Sequence, residues 1–198
     1  MKALDHLDEM RGAWSVISPD LSGYDLVLPG SPSFVCRAEA CSAHCCKAFS
    51  VSVGDREVER MAAESGLQPV EFLELEGGEP ITLPLAKPML LARAEGNCAL
   101  LGDDLRCTQY HARPDACRLY PHFVIGFDPA TAGARWGAAD EVWEAARAFV
   151  AGGYMELMPL LVRHMECPGF TGPPLGEEAR ALLLESTARL AAQEAGGP

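Results

Sequence analysis

The sequence predicts an α+β fold, a small, partly antiparallel sheet with metal-clamped loops packed by N-terminal and C-terminal helices. Three observations carry that expectation. Apolar residues recur at helical spacing near both ends, short alternating runs broken by Gly and Pro fill the middle, and the eight cysteines are bunched rather than scattered. At 198 residues the chain sits near one unit on a prior of about 150 residues per domain. It reads as a single metal-binding domain over 1–198, with its cysteine-cluster region at about 36–169.

Leu4, Leu7 and Trp14 fit one helical face, so a first helix is expected from about Ala3 to Ile17. Ser18-Pro19-Asp20 and Pro29-Gly30-Ser31-Pro32 punctuate the loop that follows. Phe49 to Val53 alternates as a short strand. Asp55 can cap a helix that Gly66 stops, and Pro69 suits the first turn of another. Between Gly77 and Pro88 only short extended pieces are credible. Strands are then expected at about Pro88 to Arg93, Ala99 to Leu101, Leu105 to Cys107 and Phe123 to Phe127.

The C-terminal third reads as helical. Val142, Trp143, Ala146, Phe149 and Val150 repeat at helical spacing, Gly152-Gly153 interrupts, and a helix with Pro159 near its start is expected from Tyr154 to Met165. A last helix at about 177–193 carries Ala179, Leu182, Leu183 and Leu190 as its buried stripe.

Composition excludes several classes. Hydrophobic residues at 48% and charged residues at 22% describe a globular chain, not a disordered one. No apolar run approaches the roughly 18 residues that span a bilayer, so no membrane partner is expected. A formal charge of −12 from 28 acids and 16 bases disfavours nucleic acid, because phosphate neutralisation needs clustered Lys and Arg. The protein partner is left unspecified. Met1 to Glu9 has acids where an export signal needs unbroken apolar residues. The expected location is therefore cytoplasmic, where bunched thiols are metal ligands or redox groups more often than disulfides.

The first cluster is Cys36-x4-Cys41-x3-Cys45-Cys46. In a helix Cys41 and Cys45 would share a face, while Cys46, rotated by about 100°, would point to a different centre or require a broken helix. Cys98 to Cys107 reads as a hairpin around Gly102-Asp103 that puts the two cysteines directly opposite each other. Pro114 at the first helical position would place Cys117 in a first turn, where the dipole favours a thiolate. Cys167-Pro168-Gly169 closes the series. Buried thiolates need a compensating metal charge, so all eight are candidate ligands of zinc or an iron-sulfur centre. Spacing alone does not choose the metal.

Tyr110, Arg113 and Arg118 are candidates for hydrogen-bonding thiolate sulfurs around such a centre. His44 and His111 lie among the cysteines and have the chemistry to substitute as ligands, although a surface role explains them more simply. Met155, Met158 and Met165 read as core filler. Two other classes fit the same thiols: a metal-dependent enzyme of redox or methyl-transfer type, and a thiol redox sensor or soft-metal carrier.

Taken in order, the doubled Cys45-Cys46, then Cys98, then Cys107-x2-Tyr110-x2-Arg113-Pro114-x2-Cys117-Arg118-x-Tyr120-Pro121, and the late Cys167-Pro168-Gly169 resemble the cysteine-cluster proteins described as putative zinc- or iron-chelating. The resemblance spans about Cys36 to Gly169. Members usually open with the tighter C-x2-C-x2-CC, where this chain has wider gaps. The resemblance implies metal chelation by these cysteines in a bacterial-type cytoplasmic protein. Flagellin lysine N-methylases look similar in cysteine pattern, which implies a possible lysine methyl-transfer or iron-sulfur role. This chain, however, has no strand-linked glycine-rich loop of the dinucleotide-binding kind.

Overall fold

A computed structural model of the protein describes residues 6–136, 140–153 and 156–194. In chain order its elements are α1 (Leu7–Ile17), β1 (Tyr24–Leu26), α2 (His44–Ala48), β2 (Ser52–Val53), α3 (Asp55–Ser65), β3 (Leu75–Glu76), β4 (Glu79–Pro80), β5 (Met89–Leu90), β6 (Arg93–Ala94), β7 (Asn97–Cys98), α4 (Asp115–Leu119), β8 (His122–Asp128), β9 (Gly133–Trp136), α5 (Asp140–Val150), β10 (Met158–His164) and α6 (Glu177–Glu194). The fold is α+β with small antiparallel sheets. The chain forms two compact units, Met1–Cys36 with Pro121–Pro198, and Arg37–Tyr120.

The first unit is built on an antiparallel sheet in the order β1-β10-β8-β9. Its register pairs Tyr24 with His164, Leu160 with Ile125, and Ile125 in turn with Trp136. Leu160, Leu161 and Val162 are all fully buried. Neighbours on a strand point to opposite faces, so both faces of this sheet are covered. Val142 of α5 packs so closely over one face that a Cβ at Gly126 would lie 3.1 Å from its Cγ2. Met10, Ala13 and Ile17 of α1 join the same core. Leu4 lies outside the described residues.

The helix expected from Tyr154 to Met165 is a strand instead, over Met158–His164. Tyr154 and Met155 themselves lie outside the described residues. The physical reason is the run Leu160-Leu161-Val162: three adjacent apolar residues suit a strand buried on both faces as well as they suit a helix. Pro159 is tolerated because β1 pairs with β10 only over Val162–His164, leaving an edge on that side at the proline.

The last helix runs where expected and buries Leu190, with Leu183 packed against the core, but the rest of its expected stripe is shifted. Leu182 is 65% exposed, whereas Arg180 is 1% exposed. Arg180 Nε donates to the Val27 carbonyl at 2.8 Å. Burial lowers its pKa to about 10.

The second unit has its own core of Val53, Val58, Met61, Phe72, Leu73, Leu91 and Leu100, with Cys98 and Cys107 packed against it. The α3 helix begins after Gly54, whose N–H donates to Glu57 Oε2 at 3.3 Å. It ends at Gly66 in the left-handed region, φ 74°. The cap is thus Gly54 rather than Asp55. Strands β6 and β7 are joined by Glu95-Gly96, both at positive φ, the conformation that two-residue hairpins of the I′ type require.

A candidate metal centre in the second unit

Six of the eight cysteines, Cys41, Cys45, Cys46, Cys98, Cys107 and Cys117, belong to the second unit. Cys41 follows the 3-10 turn Ala38–Ala40 in extended backbone, and α2 begins only at His44. The helix expected to place Cys41 and Cys45 on one face is therefore broken between them. Ala43 breaks it, sitting in the left-handed region at φ 57°. In α2, Cys45 and Cys46 hold their sulfurs 3.9 Å apart. Of the two outcomes expected for Cys46, a different centre or a broken helix, the structure has the broken helix. Two sulfurs on one tetrahedral zinc, each at about 2.3 Å, are themselves about 3.8 Å apart.

Cys98 does not face Cys107. It pairs with Arg93 across the Glu95-Gly96 hairpin, while Cys107 bridges Leu101. The Leu101 N–H turns back onto the Cys98 carbonyl at 3.0 Å, and the Leu105 N–H onto Gly102 at 3.0 Å. The stretch thus holds two successive turns where a single two-residue loop was expected. Leu105 adopts φ 63°, which no glycine in that position announced.

Both sulfurs nonetheless receive similar support. The backbone N–H groups two residues onward, of Leu100 and Gln109, favour the thiolates of Cys98 and Cys107 respectively, a smaller effect than burial.

Cys117 lies in α4, which Pro114 precedes as cap rather than as first helical residue. Its thiol is pushed up to about 12, first by burial and then by Cys98, Cys45 and Cys107. Desolvation therefore outweighs the expected dipole effect. Burial likewise raises Cys98 and Cys107, against the charges of Arg93 and Arg113 respectively. Cys45 is lowered to about 6, chiefly by its hydrogen bond with Cys46, with Arg113 adding to it. Cys46 is pushed up by that same bond and by burial, and Cys98 and Cys107 act on it too. Cys45, Cys46, Cys98, Cys107 and Cys117 thus share one electrostatic neighbourhood.

Among the described residues, no group of three or more His, Cys, Asp or Glu side chains is placed to hold a metal ion. The donor chemistry still suits zinc or iron: five thiols in one electrostatic neighbourhood, with two sulfurs at ligand spacing.

The basic residues act on this region mainly through the backbone. Arg113 Nε donates to the Tyr110 carbonyl at 2.8 Å, its NH1 to the Cys117 carbonyl at 3.2 Å, and its guanidinium stacks 3.7 Å from the Tyr110 ring centroid. Arg118 Nε donates to the Arg113 carbonyl at 2.7 Å, and its NH2 to Glu64 at 3.0 Å and to the His111 carbonyl. These bonds tie the 110–118 loop, and through it Cys117, to α3. Arg60 adds donors to the Arg113 carbonyl and Asp115, and Glu57 Oε1 accepts from the Asp115 N–H at 2.9 Å. Glu57 and Arg60 carried no signal in the sequence beyond ordinary helix charges.

Cys36 and Cys167 belong to the first unit. There the segment before Cys36 runs against the one after Cys167, with the Val35 N–H donating to the Gly169 carbonyl at 2.7 Å and Ser33 exchanging bonds with Gly172 and Pro173.

A family model named CxxCxxCC, a putative zinc- or iron-chelating domain, matches residues 35–144. The chain belongs to this family. Its matched segment contains every thiol of the neighbourhood around Cys45 and leaves Cys167 outside. No curated protein and no solved structure matches the chain. Among the described residues no helix is long and apolar enough to cross a membrane.

Proposed function

We propose that this CxxCxxCC member binds zinc or iron through Cys45, Cys46, Cys98, Cys107 and Cys117. The observation that carries the reading is the 3.9 Å Cys45–Cys46 sulfur pair inside a neighbourhood shared with three further thiols. Bound metal would supply the positive charge that lets buried sulfurs ionise. Binding then closes the ligand set, drawing α2, β7, the 107 turn and α4 together. One closed zinc site and one iron-sulfur cluster each take four thiolates, so the five sulfurs suffice for either and an iron-sulfur centre is the second identity the reading admits. Cys41 in the same unit, and Cys36 with Cys167 in the other, extend the candidate ligand list. The reading places the protein in a reducing compartment such as the cytosol.

Anaerobic purification followed by elemental analysis and an absorption spectrum tests this. Zinc or iron bound in stoichiometric amount supports it, with sulfide-to-iron charge transfer marking an iron-sulfur centre. Protein that carries neither metal and takes up neither on reconstitution overturns it.

A further inference from the structure

We infer that Arg93 is the positioning residue of this centre, its guanidinium fixing the helix that bears Cys45 and Cys46 against the hairpin that bears Cys98. The inference rests on the metal-binding reading and deepens it.

A five-residue helix cannot hold itself, since nucleation is costly and too few bonds follow it. Before α2 the backbone is left-handed at Ala43, and after it Phe49 is already extended. The orientation of Cys45 and Cys46 must therefore come from outside the helix. The last carbonyls of a helix also lack partners within it. Arg93 answers both needs. Its NH2 donates to the Lys47 carbonyl at 2.7 Å and to the Gly96 carbonyl, and its NH1 donates to the Phe49 carbonyl.

One planar fork thus joins the C-terminal end of α2 to the Glu95-Gly96 turn. Arg93 is directly opposite Cys98 in the β6–β7 pair, and opposed residues project from the same face of a ladder. The side chain that grips α2 and the side chain of Cys98 therefore leave the hairpin on one side. Its own backbone is anchored too, the Arg93 N–H donating to Glu74 Oε2 at 3.0 Å. A lysine has the charge but not the fork, so it cannot reproduce all three bonds.

The test titrates cobalt(II) anaerobically into the metal-free full chain, wild type, Arg93→Gln and Arg93→Lys. The sulfur-to-cobalt charge-transfer band is followed, and affinity is measured against a chromophoric chelator. Arg93→Gln should bind roughly 10- to 100-fold more weakly with an altered band, and Arg93→Lys should recover part of both. Wild-type affinity and band in Arg93→Gln overturn the role of Arg93 and leave the metal reading intact. A wild-type chain with no such band overturns the metal reading, and this inference with it. Should circular dichroism find Arg93→Gln unfolded, Arg93→Lys decides: wild-type affinity and band there overturn the inference, and a weakened, altered band supports it.

Discussion

Cys45 and Cys46 are chain neighbours whose sulfurs lie 3.9 Å apart, with Cys45 the exposed member and Cys46 half-buried. The hydrogen bond between the two sulfurs, with Arg113 nearby, holds Cys45 at about 6, below its ordinary value. In metal-free protein Cys45 should therefore alkylate first among the eight cysteines. Its rate should rise through pH 6 and level off above it, because only the thiolate reacts. Cys46→Ala removes this hydrogen bond and should return the inflection toward the ordinary value of about 8.5. Mass spectrometry of iodoacetamide-treated chain against pH checks this; an unchanged inflection in Cys46→Ala would contradict it.

Glu57 and Lys87 form a buried ion pair at 2.8 Å, close but not aligned as a directed hydrogen bond. Burial pushes the Glu57 carboxyl up. The Lys87 ammonium and the Asp115 and Gly54 N–H groups outweigh it and leave the carboxyl below its ordinary range. An acid depressed on folding contributes stability above its unfolded pKa, and that contribution is lost as pH falls through the folded value. The melting temperature of metal-free protein should thus hold above about pH 5 and fall below the ordinary Glu value of about 4.3. Glu57→Ala strands the Lys87 charge and should cost about 3–5 kcal/mol. Thermal melts against pH, with and without that substitution, decide the matter.

Helices with a clear stop were legible in the sequence: Gly66 ends α3 and Pro69 opens the next turn, because both residues act through their own backbone. The cysteine neighbourhood was legible as composition but not as geometry. Ala43 and Leu105 adopt positive φ without being glycine, so neither the break before α2 nor the turn before Cys107 could be read. The strand over Met158–His164 was read as helix since a continuous apolar run has no period to choose between them. Arg93 lies 46 residues from Lys47 in number and announces nothing in the sequence. Only the fold brings its guanidinium to the end of α2.

Gly169 allows the close approach of the chain beside Cys36. An added Cβ would sit 2.4 Å from Phe34 Cε2 and 2.7 Å from the Val35 carbonyl, and backbone cannot swing aside. Gly169→Ala should destabilise the protein by about 1–3 kcal/mol. Gly23→Ala, where nothing lies within 4 Å of the added carbon, should be neutral or slightly stabilising. Equal melting temperatures for the two variants would contradict this account of the Cys36–Cys167 region.

X-ray absorption at the edge of whichever metal the anaerobically purified chain carries reads the coordinating atoms themselves. The account predicts a shell dominated by sulfur near about 2.3 Å, weakened when Cys45 and Cys46 are both replaced by serine. A shell of nitrogen and oxygen alone, near about 2.0–2.2 Å and indifferent to that double replacement, would contradict it.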